Sequence, residues 1–322
     1  MIWLAWRQFR KQALFTVIGL AVLAALMIPT GLAMHHSFDD LGLPSCIRAL
    51  GGGELVPAAS ESCNSAFRQF NDEYRPVLLV AIPFIFLPLF VGLFWGAPLI
   101  SRELEHGTHR LVWTQGVSRR HWALVKFTLI GGSTLAVATG YGLGLSWWLN
   151  PVSQTGSSRF NPLGFDLQGV VPIRYTLFAV ALGIVAGTIW QKVLPAMAVT
   201  LAGFVGLRIA LTLLARPRYL PPETLTFPVQ ADAAQNNPYS GDWVQSQEIR
   251  DAAGNVVLDN AQAACTPGAT SCGPGLDGGD YNLLMYQPAE RFWLFQGIET
   301  SIYLVLAAAL VFIAFRRIRR IA

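Results

Sequence analysis

The sequence predicts an all-α polytopic membrane protein with six transmembrane helices. Of its 322 residues, 53% are apolar and 13% are charged, and its mean hydropathy is +0.43. A soluble domain carries about 25% charged residues, whereas a helix needs about 20 predominantly apolar residues to cross a bilayer. Six segments meet that requirement, at 13–33, 77–98, 124–148, 173–190, 193–215 and 292–315. One such segment is also compatible with a buried soluble helix, but six in one chain indicate a membrane protein.

Residues 1–12 precede the first predicted helix and have the composition of a helix lying in the membrane interface. Helical spacing places Ile2, Trp6 and Phe9 on one face and the three basic residues largely on another. An apolar face beside a basic one is typical of interfacial helices. A frayed cytoplasmic end is the alternative.

The next segment, 13–215, holds the first five predicted transmembrane helices. The first two are joined by an outer loop at 34–75, and the third and fourth by a shorter one at 149–172 with two Asn-Pro turn signals. Only Gln191 and Lys192 separate the fourth helix from the fifth. A loop at 99–123 joins the second helix to the third.

The loop at 99–123 has a pattern suited to docking another protein. The second helix is expected to continue through Glu105 and to break at Gly107, whose backbone tolerates a turn. Thr108 is a suitable cap for a short amphipathic helix at 109–113, and Ser118 for the following transmembrane helix. The short helix would present three apolar side chains to a partner, those of Leu111, Val112 and Trp113.

The largest polar segment, 216–291, is predicted to form a small extracellular cap, mostly loop with some strand. Residues 243–249 and 255–258 flank Ala252–Gly254 and are predicted to pair as a β-hairpin. The remaining segment, 292–322, holds the sixth transmembrane helix and a basic tail.

The charges predict that both termini are cytoplasmic. With that orientation, the inner segments hold thirteen Lys and Arg against two acids, Glu103 and Glu105, while the outer segments hold nine basic and sixteen acidic residues. Lys and Arg close to membrane-spanning segments favour the cytoplasmic side. The net charge of +4 is therefore an orientation signal, and we predict no nucleic-acid partner.

All four cysteines then lie outside the cell membrane, which favours disulfides. Cys46 and Cys63 share the first outer loop, and Cys265 and Cys272 share the cap. Four cysteines allow three pairings, and we favour the two local ones. Four unpaired thiols are the alternative.

The inner loop resembles in sequence the first intracellular loop of type-2 ABC transporter permeases, from Glu103 and Glu105 through Gly107 and Thr108 to Lys126. The resemblance implies that the segment at 109–113 is a coupling helix that docks into an ABC ATP-binding subunit. It also implies that residues 1–12 are an elbow helix and that two permeases, two copies or this chain and a paralogue, line the path. An ordinary charged inner loop is the alternative.

The chain contains no G-x-x-x-x-G-K-S/T phosphate-binding loop. We therefore predict that it is not an enzyme and holds no cofactor. ATP and Mg would be bound by the partner subunit. We predict no metal site, because the histidines near Glu105 are separated by Gly107 and lack further ligands.

Two ionisable residues, Arg208 and Glu299, fall deep within predicted transmembrane helices. Each lies about seven residues from the outer end of its helix, roughly 10 Å below the surface. Since an isolated charge there is costly, we predict that they form a direct or water-bridged ion pair joining the fifth and sixth helices. A polar gate in the transport path is the alternative.

Together with the resemblance, these observations favour a permease subunit of an ATP-driven ABC exporter that moves a hydrophobic or amphipathic small molecule out of the cell. Membrane lipid would be a further partner. The alternative is a polytopic membrane sensor or a membrane-embedded enzyme that uses the outer cap.

Overall fold

The computed structural model describes residues 2–51, 57–107, 118–155, 160–229, 242–263, 275–277 and 279–320. It contains six helical segments long and apolar enough to cross a membrane, here called the first to sixth spans. They are Gln12–Asp40, Glu61–Glu105, Arg119–Thr155, Val171–Trp190, Val193–Arg218 and Ala289–Ile318. Each contains one predicted transmembrane helix, which confirms the six-span plan.

Helices account for most of the described chain. The α-helices are Ile2–Asp40, Leu43–Gly51, Pro57–Ala81, Leu87–Val91, Ala97–Glu105, Arg119–Thr155, Pro162–Leu167, Val171–Trp190, Val193–Ala210 and Phe292–Ile318. Short 3-10 turns occur at Ile82–Phe86, Arg216–Arg218 and Ala289–Arg291, and π turns at Gly92–Gly96 and Leu211–Ala215. Successive spans alternate in direction, so one end of the bundle carries the β-sheet and the other carries the 99–123 loop. We call these the sheet end and the loop end.

The first helix runs without interruption from Ile2 to Asp40. Residues 2–12 are therefore the beginning of the helix that contains the first span and do not form a separate element. Their placement in the membrane interface stays a prediction.

The fourth span is the centre of the bundle, and glycines explain how closely its neighbours approach. The apolar stretch of the fourth span is 72% buried inside the protein, whereas that of the first span is 6% buried and that of the fifth 11%. A Cβ on Gly183 would lie 2.6 Å from the Ala97 nitrogen, and one on Gly96 would lie 2.6 Å from the Val180 oxygen. Gly92 and Gly96 of the second span thus lie against Ala179 and Val180 of the fourth, and Gly183 and Gly187 of the fourth lie against the second-span backbone around Ala97. A G-x-x-x-G segment on each helix permits this backbone contact. The fourth span ends at Trp190, and Gln191 follows with a left-handed φ of 52°, at the position of the predicted break.

The predicted outer loop at 34–75 is mostly helical. The first helix continues to Asp40, and helices Leu43–Gly51 and Pro57–Ala81 follow. Hydropathy marks the length that lies in lipid, whereas these helices continue because their own contacts bury side chains such as Phe38 and Phe70, whose rings are 5.7 Å apart. The Cys46–Cys63 disulfide joins the two helices, which confirms that pairing.

The segment between the fifth and sixth spans contains a four-stranded antiparallel sheet. Its strands are β1 (Glu223–Pro228), β2 (Trp243–Arg250), β3 (Val256–Asp259) and β4 (Tyr281–Gln287), in the order β1-β4-β2-β3. The predicted hairpin is confirmed as β2 and β3, and the Asp251 carboxylate stabilises its turn by accepting the Asn255 N–H at 2.8 Å. Described residues of the cap are thus more regular than predicted. Cys265 and Cys272 lie outside the described residues.

Candidate functional site

The 99–123 loop leaves the bundle at two well-defined helix ends. The second span ends at Glu105, and Gly107 follows with a left-handed φ of 68°, a conformation that glycine adopts without strain. The Ser118 hydroxyl accepts the His121 N–H at 3.3 Å and caps the third span. Both features agree with the sequence prediction. Thr108, Leu111, Val112 and Trp113 lie outside the described residues, so the coupling helix stays a prediction.

Glu103 ties the second span to the third. Its carboxylate forms an ion pair with the Lys126 ammonium group, and both side chains are buried. The Lys126 ammonium also lies 4.8 Å from the centre of the Trp122 ring. Removing one member of a buried ion pair leaves the other charge uncompensated, which costs about 3–5 kcal/mol.

Glu105 ties the second span to the fifth. One carboxylate oxygen of Glu105 accepts the Val193 N–H at 3.0 Å, and Val193 is the first residue of the fifth span. The first N–H groups of a helix lack partners within the helix, and its N-terminus favours negative charge. The carboxylate therefore caps a helix 88 residues away, a contact that no local sequence pattern indicates.

At the sheet end, five charged residues form an alternating chain that we call the ionic cluster. Asp166 lies on the short helix Pro162–Leu167, Arg174 on the fourth span, Arg208 and Arg216 on the fifth, and Glu299 on the sixth. The order is Arg208–Asp166–Arg216–Glu299–Arg174, and each carboxylate bridges two guanidinium groups. The cluster therefore joins three spans and the connection between the third and fourth.

Three of the four ion pairs in the ionic cluster are also direct charge-assisted hydrogen bonds. The fourth, between Arg174 and Glu299, is an ion pair without hydrogen-bond geometry. Asp166 contacts Arg208 at 2.6 Å and Arg216 at 2.9 Å. Glu299 contacts Arg174 and the Arg216 Nε at 3.0 Å each. The Tyr175 hydroxyl lies 3.2 Å from Asp166 and 3.1 Å from Glu299, so it contacts both carboxylates.

Aromatic rings enclose the ionic cluster. The Arg216 guanidinium carbon lies 4.0 Å from the centre of the Phe165 ring, and that of Arg208 lies 4.9 Å from the Tyr175 ring. Burial alone would raise the pKa of the Asp166 carboxyl, but attraction and hydrogen bonds from Arg208 and Arg216 outweigh it. The pKa of Asp166 is therefore lower than usual.

The predicted direct pair between Arg208 and Glu299 is wrong. Arg208 binds Asp166 and donates to the Ile85 carbonyl at 3.1 Å, whereas Glu299 binds Arg174 and Arg216. The two residues belong to one network, but Asp166 and Arg216 lie between them. The prediction matched residues by depth alone and assigned three charges near the ends of spans to the outer loops.

The signal that would have revealed these three residues is their position. Asp166, Arg174 and Arg216 all lie within two helical turns of a predicted membrane boundary, where a charge can turn inward to a partner. Five such charges on consecutive segments at one end of a bundle are better considered together than as isolated pairs.

Comparison with known proteins gives one finding. A family model described as "ABC-2 membrane transporter related" matches residues 17–216. No curated protein and no solved structure matches the chain. The matched range begins within the first span and includes the loop end and four members of the ionic cluster.

Proposed function

The chain belongs to the ABC-2 membrane transporter related family, and on that premise we propose that it is the permease subunit of an ATP-driven exporter. Two such permeases would work with separate ATP-binding subunits, which supply the ATP and Mg sites. Both termini would face the cytoplasm, as the distribution of Lys and Arg favours. The compound moved outward would be hydrophobic or amphipathic.

The observation that carries this proposal is the pair of tethers beside the 99–123 loop. Glu103 ties the second span to the third through Lys126, and Glu105 ties it to the fifth through the Val193 N–H. Both acids lie within four residues of Gly107, where the helix ends. A docked subunit that displaced this loop would therefore move three spans together.

The tight contact between the second and fourth spans extends this linkage to the centre of the bundle. A Cβ on Gly187 would lie 2.7 Å from the Ala97 oxygen and 3.2 Å from the Ser101 nitrogen, so these helices have little freedom to slide. The first and fifth spans instead expose large apolar side chains, among them Phe15, Leu194 and Leu213. Those faces are available to lipid or to a second permease.

The test replaces one tether and compares it with an adjacent exposed residue. In Glu105→Ala the fifth span loses its capping carboxylate, whereas Arg102→Ala removes an exposed side chain one turn or less away. Each variant is co-expressed with the ATP-binding subunit and placed in lipid nanodiscs. Co-purification reports docking, and ATP turnover with and without the permease reports coupling.

We expect Glu105→Ala to co-purify normally but to lose most of the permease-dependent change in turnover, with Arg102→Ala unchanged. Equal turnover in both variants would remove the tether from the mechanism. Loss of co-purification in Glu105→Ala alone would place Glu105 in the docking surface. Failure of the unmodified chain to bind any ATP-binding subunit would contradict the permease assignment.

A further inference from the structure

The ionic cluster carries one more positive charge than negative charge. It contains the three arginines Arg174, Arg208 and Arg216 but only two carboxylates, those of Asp166 and Glu299. No other Asp or Glu within the described ranges contacts these arginines. Arg174 is 1% exposed and Glu299 is fully buried, and an uncompensated charge in such surroundings is costly.

The same region also has hydrogen-bond donors without acceptors. Arg174 donates one amino group to the Gln296 carbonyl at 3.0 Å and to the Thr300 hydroxyl at 3.1 Å. Its Nε, its second amino group and the buried Tyr303 hydroxyl have no hydrogen-bond partner among the described residues. The Arg174 guanidinium carbon lies 5.7 Å from the centre of the Tyr303 ring, so the two groups share one environment.

Around Arg174 and Tyr303, hydrogen-bond donors without a partner outnumber acceptors without one. The Tyr219 hydroxyl also lacks a described partner, while Gln296 Oε1 is the one acceptor near the cluster in the same condition. Burial and the charge of Glu299 raise the pKa of Tyr219 to about 12, so this hydroxyl remains protonated at neutral pH. A surplus of donors beside a surplus of positive charge matches the requirements of an anion.

We propose that the ionic cluster binds one small monovalent anion beside Arg174 and Tyr303, either free chloride or the carboxylate of an amphiphile. A single negative charge would make the cluster neutral, and it would accept the unused N–H and O–H groups. The Phe165 and Tyr175 rings lie 5.5 Å and 5.0 Å from the Arg174 guanidinium carbon, so an anion beside Arg174 would have aromatic surroundings. This inference concerns binding and does not depend on transport.

The first measurement is the thermal stability of the full chain in a neutral detergent. Chloride is exchanged for gluconate at constant ionic strength, so that only the identity of the anion changes. A ligand that binds the folded state alone raises the melting temperature with its concentration, and we expect a rise of about 4 °C in chloride. No rise in the unmodified protein with chloride, and none with a carboxylate amphiphile such as decanoate, would overturn the proposal and leave water as the occupant of this region.

Variants that change the charge of the cluster give opposite expected outcomes. Arg208→Gln makes the cluster neutral while Asp166 retains Arg216 and Tyr175, and it should abolish the chloride response. Glu299→Gln gives the cluster a net charge of +2 and should enlarge the response, even if the variant begins from a lower melting temperature. Arg218→Gln is the matched control, because among the described residues the exposed Arg218 donates only to the Leu214 carbonyl of the same span. Its response should equal that of the unmodified protein.

Two further measurements separate a specific site from a general salt effect and identify the source of the anion. Tyr303→Phe removes one donor without changing any charge and should weaken the response. Decanoate, compared with decanol at equal concentration, should stabilise the protein if the anion is an amphiphile carboxylate, whereas chloride alone should act if the anion is free in solution. Equal chloride responses in Arg208→Gln, Arg218→Gln and the unmodified protein would refute the site.

Discussion

Replacing Glu299 with Gln tests whether the ionic cluster stabilises the sheet end of the bundle. Glu299 is fully buried, contacts Arg174 and Arg216 at 3.0 Å, and accepts the Tyr175 hydroxyl at 3.1 Å. Glutamine has nearly the same shape, so the substitution removes the charge and leaves little cavity. It also directs an amide NH₂ group toward guanidinium donors.

The expected loss of stability follows from that geometry. Removing one member of a buried ion pair costs about 3–5 kcal/mol, and for a chain of this size each kcal/mol lowers the melting temperature by about 2–4 °C. We expect Glu299→Gln to melt roughly 6–20 °C below the unmodified protein. The decrease should be measured by intrinsic fluorescence during heating in a neutral detergent.

The control is Glu290→Gln, which changes an exposed carboxylate nine residues earlier in the same span. It should melt within about 1 °C of the unmodified protein, since exposed charges contribute little. A similar result for Glu299→Gln would refute a stabilising role for the ionic cluster.

Exchanging the two charges, Arg208→Glu with Glu299→Arg, should not restore the melting temperature, because these residues have different partners. A double-mutant cycle on Arg208 and Asp166 should instead show an interaction free energy between the two side chains.

Three further expectations follow from other contacts. Gly183→Val should abolish stable expression, because its Cβ would lie 2.6 Å from a backbone nitrogen of the second span. Gly206→Val should be tolerated, because no atom lies within 4 Å of the position of its Cβ. Equal expression of the two variants would contradict the close packing of the second and fourth spans. The pKa of Asp166 is lowered in the folded protein, so its ion pairs stabilise the fold fully above about pH 4. That contribution is lost as the pH falls through the pKa of Asp166 in the folded protein. The melting temperature should therefore decline at acidic pH, and Asp166→Asn should lack this decline. Replacing Cys46 and Cys63 by Ser should cost about 3 kcal/mol for a loop of this length, and peptide mapping without reductant should recover the two cysteines linked; free thiols in the native protein would contradict the structure.

Hydropathy was sufficient to predict the spans, because each one has an unbroken apolar stretch. The break at Gly107 was predicted from the permissive backbone of glycine, and the separation of the fourth and fifth spans from the polar pair Gln191 and Lys192 that interrupts the apolar run. The hairpin of β2 and β3 was also predicted from local pattern, with Gly254 in its turn. These features depend on neighbours in sequence, so a single sequence is enough to predict them.

Contacts between distant segments were not predictable in this way. The helices between Met34 and Arg75 were interpreted as a loop, since their polar composition resembles an outer connection. Glu105 was assigned to the docking loop because it belongs to the resemblance, and nothing in the sequence around it indicates a bond to Val193. The ionic cluster required knowing which faces of three spans converge, and a depth estimate along single helices does not contain that information.

The π turn Leu211–Ala215 determines the direction around the helix axis in which the last side chains of the fifth span point. Arg208 and Arg216 are eight residues apart, so on an uninterrupted α-helix their side chains would point roughly 80° away from each other. A π turn accommodates about one extra residue, which returns the two arginines to nearly the same azimuth. Both guanidinium groups thereby reach the two oxygens of Asp166. Because β1 begins at Glu223, shortly beyond this turn, the carboxylate that binds both arginines also constrains the rotation at which the sheet is attached to the bundle.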